Sequence, residues 1–167
     1  IQGATTLLQG NLPISAQGIL QTGLVKNLLP GTSKQIIEAN QPGTNPFSKQ
    51  SHLMAETIVN NGLVNVNEIW GSEVGLYYPE LYAGTTDACG VYKDEPAILD
   101  YKQTNKPKKT EWIEDYFLQL VAYGLAHNET HGTNIKQGVV LMCSQNYEFQ
   151  DWVIKDSEWD FWTEKWL

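Results

Sequence analysis

Residues 97–102, with the sequence Ala-Ile-Leu-Asp-Tyr-Lys, constrain the fold of this chain more than any other feature. The apolar run follows Pro96 directly and has the pattern of a β-strand. Side chains alternate between the two faces of a strand, so Asp100 and Lys102 project from the same face, next to each other. The sequence therefore predicts a strand that presents a carboxylate and an ammonium group together.

The remaining pattern predicts an α/β fold in one domain, which is the usual expectation for 167 residues. We expect residues 48–167 to form that domain and residues 1–47 to be an irregular arm or lid over the substrate, or a poorly ordered extension, with a short helix near 33–40. Periodicity and turn residues predict three helices, over 49–60 (capped by Ser48), 110–127 and the C-terminal segment to residue 167 (capped by Asp156 and Ser157). They also predict five strands, over 68–78, 81–92, 96–104, 139–143 and 148–154.

A second carboxylate, Asp87, precedes Asp100 by thirteen residues and follows Gly84. Two carboxylates beside Lys102 suit metal-assisted phosphodiester hydrolysis, because the acids can hold a divalent cation while the lysine steadies a nucleophilic water or a developing phosphate charge. The alternatives are a turn aspartate beside a glycine for Asp87, and an exposed ion pair on an edge strand for Asp100 and Lys102.

Four ordered elements resemble the RecB-type branch of the PD-(D/E)xK nucleases. Residues 84–87 match its G-x-x-D element, 98–102 its D-(Y/F/W)-K strand, and 119–123 its Q-L-x-x-Y helix; His52 resembles its upstream helix histidine. The similarity covers about residues 48–145. The family members nearest in layout are small single-domain exonucleases, of the mitochondrial genome maintenance kind and of phages. Two departures are Gln103, where the family usually has threonine, and a missing glycine before His52.

The resemblance implies a restriction-endonuclease-like core, with a central mixed sheet flanked by helices, and an active site. Its metal ligands, for Mg²⁺ or Mn²⁺, would be Asp87, Asp100, the carbonyl of Tyr101, Glu73 and His52. Lys102 would position the attacking water, and Gln119 and Tyr123 would brace the lysine, the water or the DNA backbone. The alternatives are a solvated strand residue for Glu73, a polar helix residue for His52, and helix packing for the Gln119–Tyr123 pair.

The function implied is a metal-dependent DNA exonuclease that acts on free single-stranded ends. A structure-specific or nicking endonuclease is an alternative with the same chemistry. A catalytically silent DNA-binding subunit of a recombination or replication complex, or a metal-binding domain of such a machine, is an alternative of another class.

The charge of the chain opposes general affinity for nucleic acid, because the net charge is −8 and all eleven basic residues are lysines. Three lysines nevertheless follow the predicted catalytic strand closely: Lys106, Lys108 and Lys109. A local basic lip on an acidic body is compatible with a narrow channel for single-stranded DNA.

Other residues that can bind metals or bases have simpler interpretations. The two cysteines, Cys89 and Cys143, cannot supply a four-cysteine iron–sulfur cluster, and we expect reduced core thiols. His127 and His131 have the i, i+4 spacing of a zinc pair, but no glutamate stands where H-E-x-x-H needs it, and the helix C-terminus before Gly132 explains them instead. Tryptophans recur at helical spacing near the C-terminus, which favours core packing over base stacking: Trp159, Trp162 and Trp166.

The chain has no recognisable secretory signal and no run of about 18 apolar residues. We therefore expect a cytoplasmic protein that does not enter a membrane.

Overall fold

The computed structural model describes residues 46–167. The predicted arm over residues 1–47, apart from its last two residues, and the short helix near 33–40 lie outside this range. The elements, in chain order, are α1 (Pro46–Asn61), β1 (Val66–Tyr78), β2 (Tyr82–Tyr92), β3 (Glu95–Thr104), α2 (Glu114–His131), β4 (Gln137–Ser144), β5 (Phe149–Lys155) and α3 (Ser157–Trp166). Short 3-10 turns at Leu63–Asn65 and Thr110–Trp112 precede β1 and α2.

The five strands form one mixed sheet in the order β1-β2-β3-β4-β5. The first three strands are antiparallel to one another, β4 is parallel to β3 across the α2 connection, and β5 is antiparallel to β4. The predicted α/β fold, with a central mixed sheet flanked by helices, is confirmed. β3 is the middle strand, although residues 100–104 pair only with β4, and Asp100 and Lys102 form a partly buried ion pair there.

Helices cover both faces of the sheet. On one face α1 packs with Leu99 and Tyr101 of β3. On the other face α2 and α3 pack with Ile98 of β3. Because side chains alternate along β3, Asp100 and Lys102 project toward α2. Within residues 46–167, no helix has both the length and the apolar character that crossing a membrane requires.

Helix boundaries differ from the predicted ones for local reasons. Helix α1 begins at Pro46 instead of after Ser48, because proline lacks the amide hydrogen that a first helical turn leaves unpaired. Helix α2 begins at Glu114, after the 3-10 turn, and continues to His131. Gly132 then ends it with a φ of 68°, a left-handed conformation that glycine adopts without strain.

Two turns also differ from expectation. The hairpin between β2 and β3 turns on Lys93 and Asp94, which have φ values of 47° and 69°. This two-residue turn lets β3 begin at Glu95, one residue before the predicted start. Asp156 stands at the N-cap position of α3, as predicted, but its side chain makes no capping hydrogen bond.

Along β1 and β2, equivalent side chains change from the α1 side of the sheet to the α2 side. Glu73, in the middle of β1, has a φ of 50°. Its neighbours Ser72 and Val74 pair with Ala88 and Thr86, which places Glu73 opposite the position of residue 87 in β2. Ala88 packs on the α1 side of the sheet. The first half of β2 instead faces α2, as the contact of Gly84 with that helix shows.

The same region is where β2 separates from β3. Their backbone pairing ends at Ala88 and Leu99, whereas β2 continues beside β1 as far as Tyr82. The separation leaves the second half of β3 without a backbone partner on its β2 side. The side chain of Asp87 occupies this opening.

Candidate active site

Asp87 fills the gap where β2 leaves β3. Its Oδ2 accepts a hydrogen bond of 2.8 Å from the backbone N–H of Tyr101. The carboxylate thus takes the place of a strand carbonyl and satisfies an amide that the separation of the strands would leave unpaired. This bond fixes Asp87 against the main chain of the residue between Asp100 and Lys102.

Asp100 and Lys102 form an ion pair beside Asp87. Nζ of Lys102 lies 3.3 Å from Oδ2 of Asp100, and the two side chains are 28% and 15% exposed. The ammonium also lies 4.7 Å from the ring centroid of Tyr116 on α2, within cation–π range. Oδ2 of Asp100 is nevertheless buried without an aligned hydrogen-bond donor. The lysine is therefore held near the carboxylate but does not satisfy it fully.

The two carboxylates perturb each other. The pKa of Asp100 is raised to about 8. Burial is the largest cause, the hydrogen bond and charge of Asp87 add to the rise, and Lys102 opposes it. Two acids this close in a desolvated site favour binding a proton or a cation between them. Without a cation, Asp100 therefore tends to keep its proton at neutral pH.

Tyr123 brings α2 to the site. Its ring lies so close to β2 that a Cβ on Gly84 would be 2.8 Å from the ring Cε1, which explains the glycine of the G-x-x-D element. The pKa of Tyr123 is raised, first by burial and then by the charge of Asp100, while a hydrogen bond with the backbone of Thr85 opposes the rise. Its hydroxyl therefore stays protonated near the carboxylates.

Gln119 lies one turn before Tyr123 on α2 and is exposed. Both residues line a cavity of about 370 Å³, whose wall also includes Tyr82 and Trp166. The Tyr82 hydroxyl donates a 2.7 Å hydrogen bond to the carbonyl of Ala122 and so fixes this wall against α2. Gln119 is thus accessible from this cavity, and its role at the carboxylates stays a prediction.

Two further predicted ligands, Glu73 and His52, lie on β1 and α1. Glu73 lies across β1 from Asp87, but its left-handed backbone departs from strand geometry. His52 belongs to α1, which packs on the other face of the sheet, and its Nδ1 is buried without a hydrogen-bond partner. Among the described residues, no three His, Cys, Asp or Glu side chains are arranged to hold one metal ion. The ligand roles of Glu73, His52 and the Tyr101 carbonyl stay predictions.

The pair that does form, Asp87 and Asp100, fits a hard divalent cation. Mg²⁺ is commonly bound by one or two carboxylates, with water and substrate phosphates completing its octahedral shell. The buried Oδ2 of Asp100 without an aligned donor supplies the kind of acceptor that such a cation would satisfy. Asp87 and Asp100 would therefore hold the cation.

The predicted basic lip leads away from this site. The Gln150 side chain clamps the backbone of Lys108 with two hydrogen bonds of 2.9 Å each. Lys109 lies 5.3 Å from the ring centroid of Trp112, which is 62% exposed. Sequence analysis did not identify Trp112, although an aromatic residue next to a lysine cluster is a recognised nucleic-acid signal. Lys106 is also exposed.

The cysteines and C-terminal tryptophans have structural positions. Cys89 and Cys143 are both free and buried, in the core clusters on opposite faces of the sheet. Trp159 and Trp162 are buried, which confirms core packing for these two residues. Trp166 is instead 37% exposed and lines the cavity beside Gln119.

The resemblance to RecB-type nucleases rests on the motif residues alone. No protein-family model and no curated protein matches this sequence. We therefore infer function from the side chains gathered between β2, β3 and α2.

Proposed function

We propose that this protein is a metal-dependent nuclease of the RecB-type PD-(D/E)xK kind, which hydrolyses phosphodiester bonds in DNA. One observation supports this most strongly: Asp87 and Asp100 converge beside Lys102 at the point where β2 separates from β3. The order of α1, three antiparallel strands, α2 and a parallel β4 is compatible with the restriction-endonuclease-like core of that family.

Each side chain has a role that follows from its contacts. A bound Mg²⁺ or Mn²⁺ would lower the pKa of a coordinated water and polarise a phosphate oxygen. Asp87 is oriented for binding by the N–H of Tyr101. Lys102, held between Asp100 and Tyr116, can donate to the attacking water or to a phosphate oxygen whose charge increases in the transition state. Tyr123 offers a protonated hydroxyl next to this position.

A free single-stranded end is the substrate that the charge distribution favours. The net charge of −8 repels the DNA backbone over most of the surface. Lys106, Lys108 and Lys109 provide local attraction beside an exposed Trp112, on which an unpaired base can stack. Attack from such an end makes the enzyme an exonuclease, and a nicking or structure-specific endonuclease is the alternative with the same active site.

A catalytically silent DNA-binding subunit is the competing function of a different class. It is disfavoured because adjacent buried carboxylates are unfavourable in a fold that does not use them. Without a cation, Asp87 and Asp100 destabilise the fold at its central strand. A subunit that only binds DNA has no need of such a pair.

The deciding experiment uses linear DNA, single- and double-stranded, end-labelled, with Mg²⁺, Mn²⁺ or EDTA. Wild type and the exposed control Asp160→Asn should degrade single strands with either metal and lose activity in EDTA, because the ligands are hard oxygens. Asp100→Asn should be inactive in every condition. Undiminished cleavage in EDTA would overturn the mechanism. DNA binding without cleavage in both metals would establish the silent subunit instead.

A further inference from the structure

A second cavity, of about 330 Å³, lies along α2 on the side of Tyr123 nearer the C-terminus of the helix. His127 is one helical turn beyond Tyr123, and His131 is one turn further, at the last residue of the helix. The cavity is therefore separate from the carboxylate site and has a different chemistry. Its lining residues are Trp70, Val74, Cys89, His127, His131 and Thr133.

Hydrogen bonds determine which nitrogen of His127 carries the proton. Asn128 donates from Nδ2 to the carbonyl of Ile135 (2.9 Å) and accepts the N–H of Ile135 at Oδ1 (2.7 Å), so its amide orientation is fixed. The Thr133 hydroxyl donates to that same Oδ1 at 2.9 Å. Having given its only proton, Thr133 accepts at 2.7 Å from Nδ1 of His127. Nε2 of His127 is therefore the unprotonated nitrogen of the neutral ring.

This arrangement is the one that ligand histidines have in metal sites, where the second ring nitrogen donates to a supporting acceptor. The His127 ring is also held from outside, since Trp70 stacks on it with centroids 5.8 Å apart. Burial, and then the neighbouring His131, lower the pKa of His127, so the ring is neutral at physiological pH. A neutral, oriented imidazole is ready to coordinate without first losing a proton.

His131 supplies the second imidazole. The centroids of the two rings are 4.6 Å apart and the planes are tilted by 39°. Two imidazoles that share one ion through bonds of about 2.0–2.1 Å have centroids roughly 4.5–5 Å apart. The two rings therefore have the separation that a shared ion requires without a change in the backbone.

We propose that His127 and His131 form a binding site for a divalent transition-metal ion of the zinc type, separate from the carboxylate site. Imidazole nitrogen selects Zn²⁺, Ni²⁺ or Cu²⁺ over Mg²⁺, which prefers oxygen. Cys89 lines the same cavity, but no three-ligand group exists among residues 46–167, so water would complete the shell. The bound ion would fix the last turn of α2, where Trp70 of β1 stacks on His127. The proposal does not depend on nuclease activity.

The experiment is a calorimetric titration of Zn²⁺ into protein from which transition metals have been removed, with excess Mg²⁺ present as a competitor. Every protein tested carries Asp100→Asn, which disables the carboxylate site. We expect one Zn²⁺ per chain. His131→Ala, at an exposed position, should weaken binding by more than about 100-fold, and Thr133→Val by about 10–100-fold, the range for supporting partners of ligand histidines. The matched control is Glu129→Gln, which lies between the histidines in sequence but on another side of the helix.

Thermal unfolding in EDTA checks that the variants fold. In a separate measurement without EDTA, Zn²⁺ should raise the melting temperature of the Asp100→Asn protein but not that of the same protein with His131→Ala. Unchanged Zn²⁺ affinity in the folded His131→Ala protein would overturn the site, as would the absence of Zn²⁺ binding in the parent. Loss of DNA cleavage has no bearing on either result, so the failure of this proposal and that of the nuclease proposal are distinguishable.

Discussion

At the scale of single residues, Asp100 shows how a candidate site and stability oppose each other. Its carboxylate is mostly buried in the middle strand, next to Asp87, and only partly compensated by Lys102. A buried charge without full compensation destabilises the native state. The same property makes the residue useful for binding a cation.

We therefore predict that Asp100→Asn stabilises the metal-free protein by about 1 kcal/mol at neutral pH. The raised pKa means that Asp100 takes up a proton on folding, whereas asparagine keeps the shape of the side chain without that cost. Urea denaturation in EDTA measures the change. Asp160→Asn, on the surface of α3, should stay within about 0.5 kcal/mol of wild type. Addition of Mg²⁺ should reduce the difference, since only the wild type retains both ligands. A clear destabilisation in EDTA would show that the carboxylate has a structural partner.

Lys102 should act in catalysis and not in metal binding. Lys102→Ala should lower the cleavage rate by about 10²–10³-fold or more, as for loss of a group that stabilises transition-state charge. Mn²⁺ binding, followed by electron paramagnetic resonance, should persist in this variant and be lost in Asp100→Asn. Gln119→Ala should have an intermediate rate because Gln119 only braces the site. Near-normal turnover of Lys102→Ala would remove the role assigned to it, and Lys136→Ala serves as the exposed-lysine control.

At the scale of elements, local pattern predicted which segments form helices and strands but not how the strands bend. Residues 97–102 form a strand as expected, because apolar alternation is a local property. The left-handed backbone of Glu73 and the separation of β2 from β3 were not predictable, since Glu73 is not a residue type that marks such a conformation. The motif indicated that Asp87 and Asp100 meet. The ring of Tyr116 beside Lys102 depends on tertiary packing and carries no sequence signal.

Packing of α3 on α2 depends on one glycine. A Cβ on Gly124 would lie 2.4 Å from Cη2 of Trp159, which is itself buried. We predict that Gly124→Ala lowers the free energy of unfolding by about 1–3 kcal/mol, because overpacking exceeds the gain of about 1 kcal/mol in helix propensity. Urea denaturation tests this. Gly75→Ala in β1, where nothing lies within 4 Å of the added carbon, is the control. Equal stability of the two variants would contradict the tight packing.

The C-terminal turn of α2 should make stability sensitive to acid. Burial lowers the pKa of His127 below its ordinary value of 6.5, so the unfolded chain binds a proton more readily than the native protein. The contribution of this residue is therefore complete above about pH 6.5 and is lost as the pH falls through the lower native value. The difference in unfolding free energy between wild type and His127→Gln, measured in EDTA, should shrink between pH 7.5 and pH 5. A difference independent of pH would contradict a neutral native imidazole.

At the scale of the whole molecule, charge is distributed unevenly. The chain carries a net charge of −8, while Lys106, Lys108 and Lys109 follow the middle strand directly. The clamp of Gln150 on Lys108 holds this lip in place beside β5. Nucleic acid should therefore approach along this basic lip.

This distribution predicts that cleavage needs a free end. A strand that enters by its end reaches the basic lip without passing over the acidic surface, whereas a closed circle has to lie across it. Linear single-stranded DNA should be degraded and circular single-stranded DNA of the same sequence spared, as gel electrophoresis over a time course would show. Binding should weaken with salt along a shallow slope, because few phosphates are neutralised at once. Rapid linearisation of the circle would favour the endonuclease alternative. As a control for sequence, the same circle is first linearised by a restriction enzyme at one site made double-stranded by an annealed oligonucleotide.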